Sequence, residues 1–276
     1  MIRFDLSAEG KLSHREIRKG HKTRNASAVA MTREAVADLP KGRTASWTVC
    51  TEDKPSAAPQ KNVPHFNCCG GKKDTRNLYP DFAYDGWFNA CRGKSLDEFA
   101  QEIREIGSKD PSRPGTVWAG SSATHPNRKK FLRIAKTIPD FALVDTVTAP
   151  KSDRIYMGDM GEWEILFDIE GNGFSARTKM LAHSGRPLVL QDRPLWDMSG
   201  EHLVDGVNCV ACRRDTSDLP RILDDLRSDP EKMKRIGSAL AETAKTHFTR
   251  AAALDRIREL VTRIAREALC PKDVSF

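Results

Sequence analysis

Regular alternation between short apolar segments and amphipathic segments, from residue 116 to residue 228, most limits what this chain can fold into. Runs of aliphatic and β-branched residues predict short strands, and charged segments with apolar residues three and four apart predict helices. Strands that alternate with helices are typical of a parallel sheet with crossover helices, which is a Rossmann-like α/β domain. The predicted strands are 116–120, 141–145, 162–169, 187–191 and 207–212, and the predicted helices are 127–137, 175–184 and 218–228.

The part of the chain before residue 116 has a less regular pattern. The prolines within 110–115 interrupt the periodic segments and mark the best candidate for a domain boundary. Upstream of them, the predicted elements are helix within residues 1–40, strands at 44–50 and 65–69, and a helix at 95–107 that begins with a capping box.

The last predicted helix, 249–269, carries apolar residues at spacings of three and four, among them Leu254 and Ile257. Such a stripe predicts a helix that packs against another surface. We therefore expect an α/β chain of three parts. These are an N-terminal Rossmann-like domain at 1–113, a second Rossmann-like domain at 114–248, and a C-terminal segment at 249–276 that packs back on the first domain.

The formal net charge of the sequence is +7 at pH 7. An excess of this size suits a partner that is anionic, such as a phosphorylated small molecule or nucleic acid. The basic residues are spread along the sequence, and the densest runs are 14–24, 71–76 and 127–130. Because they form no concentrated stripe, we expect an ordinary charged surface with one anion site. A basic nucleic-acid-binding protein is the remote alternative.

No apolar run in the sequence approaches the ~20 residues that a membrane span requires. Residues 1–25 are polar and charged, unlike a signal peptide. We therefore expect no membrane span in this chain and a cytoplasmic location. If an N-terminal segment is missing, the expected location is the lumen of the Golgi or endoplasmic reticulum.

The chain has seven cysteines, an odd number that favours free thiols over a set of disulfides. Cys209 and Cys212 have the spacing of a zinc or redox pair, but they lie in a segment with the character of a buried strand. Asp168 and Glu170 are a possible metal-binding pair, although their place at a strand end favours a structural role. We predict no metal site.

The segment 167–185 is the best candidate for an anion site. A predicted strand runs into Gly171-Asn172-Gly173, and Ser175 and Arg177 follow at the start of a predicted helix. Glycines let the backbone approach an anion, amides at a helix start donate to it, and the arginine fork suits two phosphate oxygens. The simpler alternative is a tight turn in which Ser175 caps the helix. A dinucleotide fingerprint is not met, because position 176 is alanine.

Residues 162–223 resemble the core of glycosyltransferase family 90, the protein O-glucosyltransferases and capsule-associated xylosyltransferases. Two stretches match the family in order and spacing, namely 167–181, with the Ser175-x-Arg177 turn and the Lys179-x-Leu181 helix motif, and 213–219. Segment 118–128 looks like the Gly-Ser-x-Thr segment of the family, which ends in an arginine. Segments 51–55 and 63–80 resemble its N-terminal landmarks, and the likeness covers roughly residues 45–248.

This resemblance implies a GT-B fold, in which two Rossmann-like domains face a cleft. It implies inverting transfer of glucose or xylose from a UDP-sugar to a hydroxyl of a glycan or protein, with the UDP-sugar as co-substrate and without a required metal or other cofactor. By position, the residues implied to contact the donor are Ser121, Arg128, Asn172, Gly173, Phe174, Ser175, Ala176 and Arg177.

An inverting transfer also needs a general base for the acceptor hydroxyl. In the protein O-glucosyltransferases this base is an aspartate shortly before a Tyr-Pro pair, but here the position aligned with it before Tyr79-Pro80 is Arg76. Asp74 is the first candidate, Asp53 the second and Asp81 the third. If the base has been lost, the chain is a catalytically weakened nucleotide-sugar-binding or glycan-binding relative. The aromatic run 79–88 is either an acceptor platform or domain core.

Overall fold

A computed structural model describes residues 1–269 of the chain. Within these residues the chain forms two sheets, one before residue 68 and one after residue 112. The elements, in chain order, are β1 (Ile2–Leu6), β2 (Leu12–Glu16), α1 (Lys22–Ala37), β3 (Ala45–Cys50), β4 (His65–Asn67), α2 (Leu96–Gly107), β5 (Arg113–Gly120), α3 (Pro126–Ala135), β6 (Phe141–Asp145), β7 (Trp163–Asp168), α4 (Thr178–Leu181), β8 (Leu188–Gln191), β9 (Val210–Cys212), α5 (Leu219–Arg227), α6 (Pro230–His247) and α7 (Arg250–Leu269).

The second sheet confirms the predicted α/β class. Its five strands are all parallel, in the order β6-β5-β7-β8-β9. The central strands are buried on both faces, which explains their continuous apolar sequences. If the strands of this sheet are numbered 1 to 5 in chain order, this is the doubly wound order 2-1-3-4-5. The chain first adds a strand on one side of β5 and then adds the remaining strands on its other side, so the switch point lies between β5 and β7. Ligands of such sheets bind at the carboxyl ends of the strands beside this switch point.

The first sheet is mixed rather than parallel. Its order is β2-β1-β3-β4, with β1 antiparallel to both neighbours and only β3 and β4 parallel. The prediction of helix from the start of the chain is therefore wrong for residues 2–16, which form a hairpin, and right for α1. Ile2, Phe4 and Leu6 alternate with polar residues and point into the core, and this period of two is the signal for a strand.

Helix α7 returns to the first sheet, as predicted. It packs against α1 and β3, and its apolar stripe, including Ile257 and Leu260, is buried. The Arg258 Nε donates to the carbonyl of Ala35 at 3.2 Å, which fixes the two helices relative to each other. Two sheets that face a cleft, with a C-terminal helix packed on the first, give the predicted GT-B type of arrangement. The remainder of the predicted C-terminal segment, 270–276, lies outside the described residues.

Helix α2 precedes the predicted boundary at residue 113 but packs against elements of the second sheet. Phe99 and Ile103 share a hydrophobic core with Leu166 of β7 and Leu188 of β8. The boundary itself stays a prediction. By its contacts, α2 is one of the helices that cover the parallel sheet.

None of the helices between residues 1 and 269 combines the length and the apolar character that crossing a bilayer requires. The six cysteines of the described residues are buried free thiols, including Cys209 and Cys212 at β9. Burial raises the pKa of both these thiols, which makes them unreactive. Cys270 lies outside the described part of the chain.

Candidate functional site

A cleft of ≈330 Å³ opens at the carboxyl ends of β5 and β7, which is the switch point of the parallel sheet. One wall consists of residues that follow these two strands, and the facing wall comes from the first part of the chain. The cleft is lined by Arg24, Asp53, Phe82, Trp87, Gly120, Ser121, Thr124, Arg128, Gly171, Asn172, Phe174, Ser175, Ala176 and Arg177.

Asp168, the last residue of β7, organises the wall formed by the second sheet. Its fully buried carboxylate accepts hydrogen bonds from Arg177 Nε at 2.7 Å, Ser175 Oγ at 2.9 Å, Thr178 Oγ1 at 2.5 Å and Arg193 Nη1 at 3.2 Å. Burial by itself would raise the pKa of Asp168, but the charges of Arg177 and Arg193 hold it well below its usual range. The carboxylate therefore stays ionised and fixes both guanidinium groups.

Arg177 has one nitrogen left over from this network. Its Nε binds Asp168 and its Nη1 donates to the carbonyl of Ala119. Its Nη2 is buried and has no hydrogen-bond partner within residues 1–269. Because an unpaired buried donor is costly, an anion in the cleft that accepts from this nitrogen would be stabilised.

Arg128 of α3 lies beside Arg177 and is also buried. It donates from Nε to the carbonyl of Glu170 at 2.8 Å and from Nη1 to the carbonyl of Ser121 at 3.0 Å. Burial, followed by the neighbouring charge of Arg177, lowers the pKa of Arg128 to about 9. A negative ligand would relieve this repulsion, so both arginines favour an anion at the same place.

Of the eight residues implied to contact a donor, seven line the cleft together: Ser121, Arg128, Asn172, Phe174, Ser175, Ala176 and Arg177. Gly173, the eighth, packs behind them against the first part of the chain. A Cβ at Gly173 would lie 1.5 Å from the carbonyl oxygen of Asp53, so only glycine permits this contact.

Two expectations about the anion turn need correction. Ser175 donates its hydroxyl proton to Asp168, so it supports the turn rather than offering a donor to a ligand. The helix begins at Thr178 rather than at Ser175 and, as α4, has only four residues. The positive charge of the turn therefore comes from its arginines and not from a helix N-terminus.

The three candidate bases lie in different surroundings. Asp53 follows β3 and lines the cleft, with its Oδ1 at 2.7 Å from Arg24 Nη1 and its Oδ2 accepting from Asn172 Nδ2 at 3.3 Å. Asp74 is exposed on a short 3₁₀ helix and is not among the residues that line the cleft. Asp81 is buried. The geometry thus favours Asp53 over Asp74, which reverses the order given by the sequence.

Asp81 belongs to a buried cluster that joins the two parts of the chain. Lys179 of α4 is fully buried and donates to Asp81 at 2.7 Å and to Asp197 at 2.5 Å. Two carboxylates thus share one ammonium group. Burial, followed by the charge of Asp197, raises the pKa of Asp81 to about 7 despite the opposing effect of Lys179. This cluster holds α4, and with it the turn that carries Arg177, against the first part of the chain.

Sequence reasoning missed one residue of the facing wall, Arg24, which lies beside Phe82 and Trp87 of the aromatic run 79–88. Arg24 places its guanidinium 5.0 Å from the ring centroid of Phe82, and Phe82 meets Trp87 edge to face at 5.4 Å. The aromatic run 79–88 is thus divided, because Tyr79 and Tyr84 are fully buried in the core whereas Phe82 and Trp87 reach the cleft. Arg24 lies at the end of the basic run 14–24, and nothing in its spacing distinguishes it from its neighbours.

The acidic pair after β7 is occupied by protein donors. Asp168 binds two arginines, and Glu170 accepts from Asn127 at 2.5 Å and lies 3.5 Å from Arg214. Within residues 1–269, side chains of His, Cys, Asp and Glu form no group of three or more arranged to hold a metal ion.

Comparison with known proteins finds similarity at the level of solved structures. HepE from Anabaena in complex with UDP-glucose matches with a TM-score of 0.40 at 15% identity, over 65% of this chain and 46% of that one. The C-terminal domain of the group 1 family glycosyl transferase LpcC from Francisella tularensis matches with a TM-score of 0.40 at 13% identity, over 57% and 99%. Sucrose-phosphate synthase from Thermosynechococcus elongatus matches with a TM-score of 0.39 at 11% identity, over 86% and 56%.

The chain therefore spans less than half the length of HepE. No protein-family model and no curated protein matches the chain. The resemblance to glycosyltransferase family 90 stays a prediction.

The cluster around Lys179 predicts a pH dependence of stability. The pKa of Asp81 is about 7 in the folded chain, against 3.8 for a free aspartate, so the folded state binds more protons between these values. The contribution of Asp81 to the free energy of unfolding should therefore fall as pH rises from about 4 to about 7. His183, whose pKa burial lowers to about 4, acts in the opposite direction over the same range, so the test is the difference between the wild-type profile and that of Asp81→Asn, which should lack the Asp81 part. Urea unfolding across this pH range measures it.

The matched control is Asp74→Asn, which removes an exposed carboxylate seven residues before Asp81. It should follow the wild-type pH profile. Identical profiles for Asp81→Asn and the wild type would show that Asp81 stays ionised beside Lys179.

Proposed function

We propose that this chain is an inverting glycosyltransferase that moves glucose or xylose from a UDP-sugar to a hydroxyl of a glycan or protein. The observation that carries the proposal is the buried, unpartnered Nη2 of Arg177 beside Arg128, at the switch point of the parallel sheet. The proposal is also supported by the resemblance of the same turn to glycosyltransferase family 90.

The diphosphate of the donor is the group that we assign to these arginines. Breaking the bond between the sugar and the diphosphate leaves negative charge on the phosphate oxygens, and fixed cations stabilise that charge most when they need no rearrangement. Asp168 holds Arg177 in place before any ligand arrives. Because Arg128 and Arg177 supply the positive charge, the proposal includes no requirement for a metal ion.

The base that we assign is Asp53, on the facing wall. The acceptor oxygen forms a bond to the anomeric carbon of the sugar, the bond from that carbon to the diphosphate breaks, and the acceptor proton passes to the Asp53 carboxylate. UDP leaves with the electron pair of the broken bond. Asp53 and the two arginines line the same cleft, and displacement with inversion requires the base and the diphosphate on opposite faces of the sugar.

A second candidate is a relative that binds the nucleotide sugar without transferring it. One observation favours it: both oxygens of Asp53 are already engaged, by Arg24 and by Asn172. This candidate predicts UDP binding at the arginines together with no release of UDP from any donor.

Arg177→Gln should weaken UDP binding by about 100-fold or more, because it removes both the positive charge and the free Nη2 donor that we assign to the diphosphate. Isothermal titration calorimetry measures the affinity. Arg193→Gln is the matched control, since Arg193 holds the same carboxylate of Asp168 without lining the cleft. It should melt at a temperature similar to Arg177→Gln and keep nearly unaltered UDP affinity. Equal UDP affinity for Arg177→Gln and the wild type would refute the diphosphate site.

Asp53→Asn should lower the rate of UDP release from the preferred donor by roughly 100-fold or more, with UDP affinity retained. UDP-glucose, UDP-xylose and UDP-galactose are compared as donors. Asp74→Asn is the control, because this exposed carboxylate lies outside the cleft lining and its removal should leave the rate unaltered. The opposite result, with Asp74→Asn inactive and Asp53→Asn active, would transfer the role of base to Asp74.

A further inference from the structure

A second, larger cavity lies at the opposite edge of the parallel sheet from the cleft. It is a groove of ≈910 Å³ beside the amino ends of β7 and β8. Glu164 lines it near the start of β7, whereas Asp168 lies at the other end of that strand. The two residues are four positions apart along the strand, or roughly 13 Å, so the groove is distinct from the site of the proposed transfer.

The walls of this groove are held together by close backbone contacts. A Cβ at Gly107, at the end of α2, would lie 1.7 Å from the carbonyl oxygen of Ser184. A Cβ at Gly237 of α6 would lie 2.1 Å from the carbonyl oxygen of Gly185. Both helices therefore pack directly on the backbone of the turn before β8, which gives the groove a fixed floor.

Arg104 of α2 faces this groove without a charged partner. Its Nη2 lies 3.3 Å from His183 Nδ1, and its Nε is buried with no hydrogen-bond partner in the described chain. The other ring nitrogen of His183, Nε2, donates to the carbonyl of Phe248 at 3.0 Å, which leaves Nδ1 as an acceptor. Burial lowers the pKa of His183 to about 4, so the imidazole is neutral at pH 7 and accepts from Arg104 without adding charge of its own.

Arg186, in the turn before β8, is in the same situation. It is only 9% exposed, and it donates to the carbonyls of Gly161 at 2.9 Å and Lys109 at 2.6 Å. Arg227 donates only to Thr116 Oγ1 and to the carbonyl of Pro139 within residues 1–269. All these acceptors are neutral. The carboxylates of Asp110 and Glu164 also act on Arg186, but in the described part of the chain neither lies within ion-pair distance of it, so its buried charge is only partly balanced.

The groove as a whole has an excess of positive charge. Three carboxylates line it, and one of them, Glu242, is paired with Lys245. The six basic side chains of the lining are Arg104, Lys109, Arg186, Arg227, Lys234 and Lys245. Convergent arginines on a rigid floor suit a compact ligand with several negative charges.

We propose that this groove is a second anion site, which binds a phosphate-bearing ligand through Arg104, Arg186 and Arg227. The phosphate reaches it either as a free phosphorylated molecule or as the headgroup of an anionic lipid. This proposal does not depend on the transfer reaction or on the cleft.

Hydrogen–deuterium exchange with inorganic pyrophosphate tests the site locally. Pyrophosphate should slow exchange in segments 104–111 and 183–187 of the whole chain. In the double variant Arg104→Gln with Arg227→Gln, the pyrophosphate concentration that gives half of this protection should rise by about tenfold or more. Lys234→Gln, a change on the exposed surface of α6, should raise this concentration by a smaller factor. It replaces the double variant in the test if the double variant unfolds.

The matched control is Arg221→Gln with Arg235→Gln, which removes the same charge from α5 and α6 outside the groove lining. Its protection should equal that of the wild type. Co-sedimentation with phosphatidylglycerol vesicles, compared with phosphatidylcholine vesicles, distinguishes the lipid source. The proposal is supported if either probe binds the wild type and binds the double variant at Arg104 and Arg227 more weakly. Absence of binding with both probes, or equal binding by the groove variants and the control, overturns it.

Discussion

The pairing of one buried carboxylate, Asp168, with two arginines determines the architecture of the cleft. An ionised group without solvent is costly, and only close cations make its burial tolerable. Because Asp168 ends the central strand β7, this requirement places Arg177 and Arg193 at the carboxyl edge of the sheet. Asp168 and the buried Glu170 offset two of the three charges of Arg128, Arg177 and Arg193. The cleft therefore keeps a positive charge that a ligand can satisfy.

The turn that follows Asp168 is fixed from both parts of the chain. Gly173 contacts the backbone of Asp53, and Lys179 binds Asp81. These two contacts place the arginines of the second sheet opposite a carboxylate that follows the first sheet. The groove at the far end of the strands follows a similar electrostatic pattern, since its six basic side chains outnumber its three carboxylates. One parallel sheet thus presents an unbalanced positive charge at each edge.

Much of the fold could be predicted from the sequence, because buried parallel strands leave continuous apolar runs and α7 leaves a clear stripe. The hairpin of β1 and β2 was missed because its period of two is carried by only three buried residues in β1. The residues of the cleft wall were found from one turn and one resemblance. The hydrogen bond of Ser175 to Asp168 and the choice between Asp53 and Asp74 could not be predicted, since both depend on contacts between residues distant in sequence.

A structure of the chain determined with UDP tests the central claim most directly. The account predicts that a diphosphate oxygen lies about 3 Å from Arg177 Nη2, with Arg128 beside it and Asp53 on the facing wall. UDP bound elsewhere on the chain, or bound in the cleft with its diphosphate directed away from Arg177, would contradict the account.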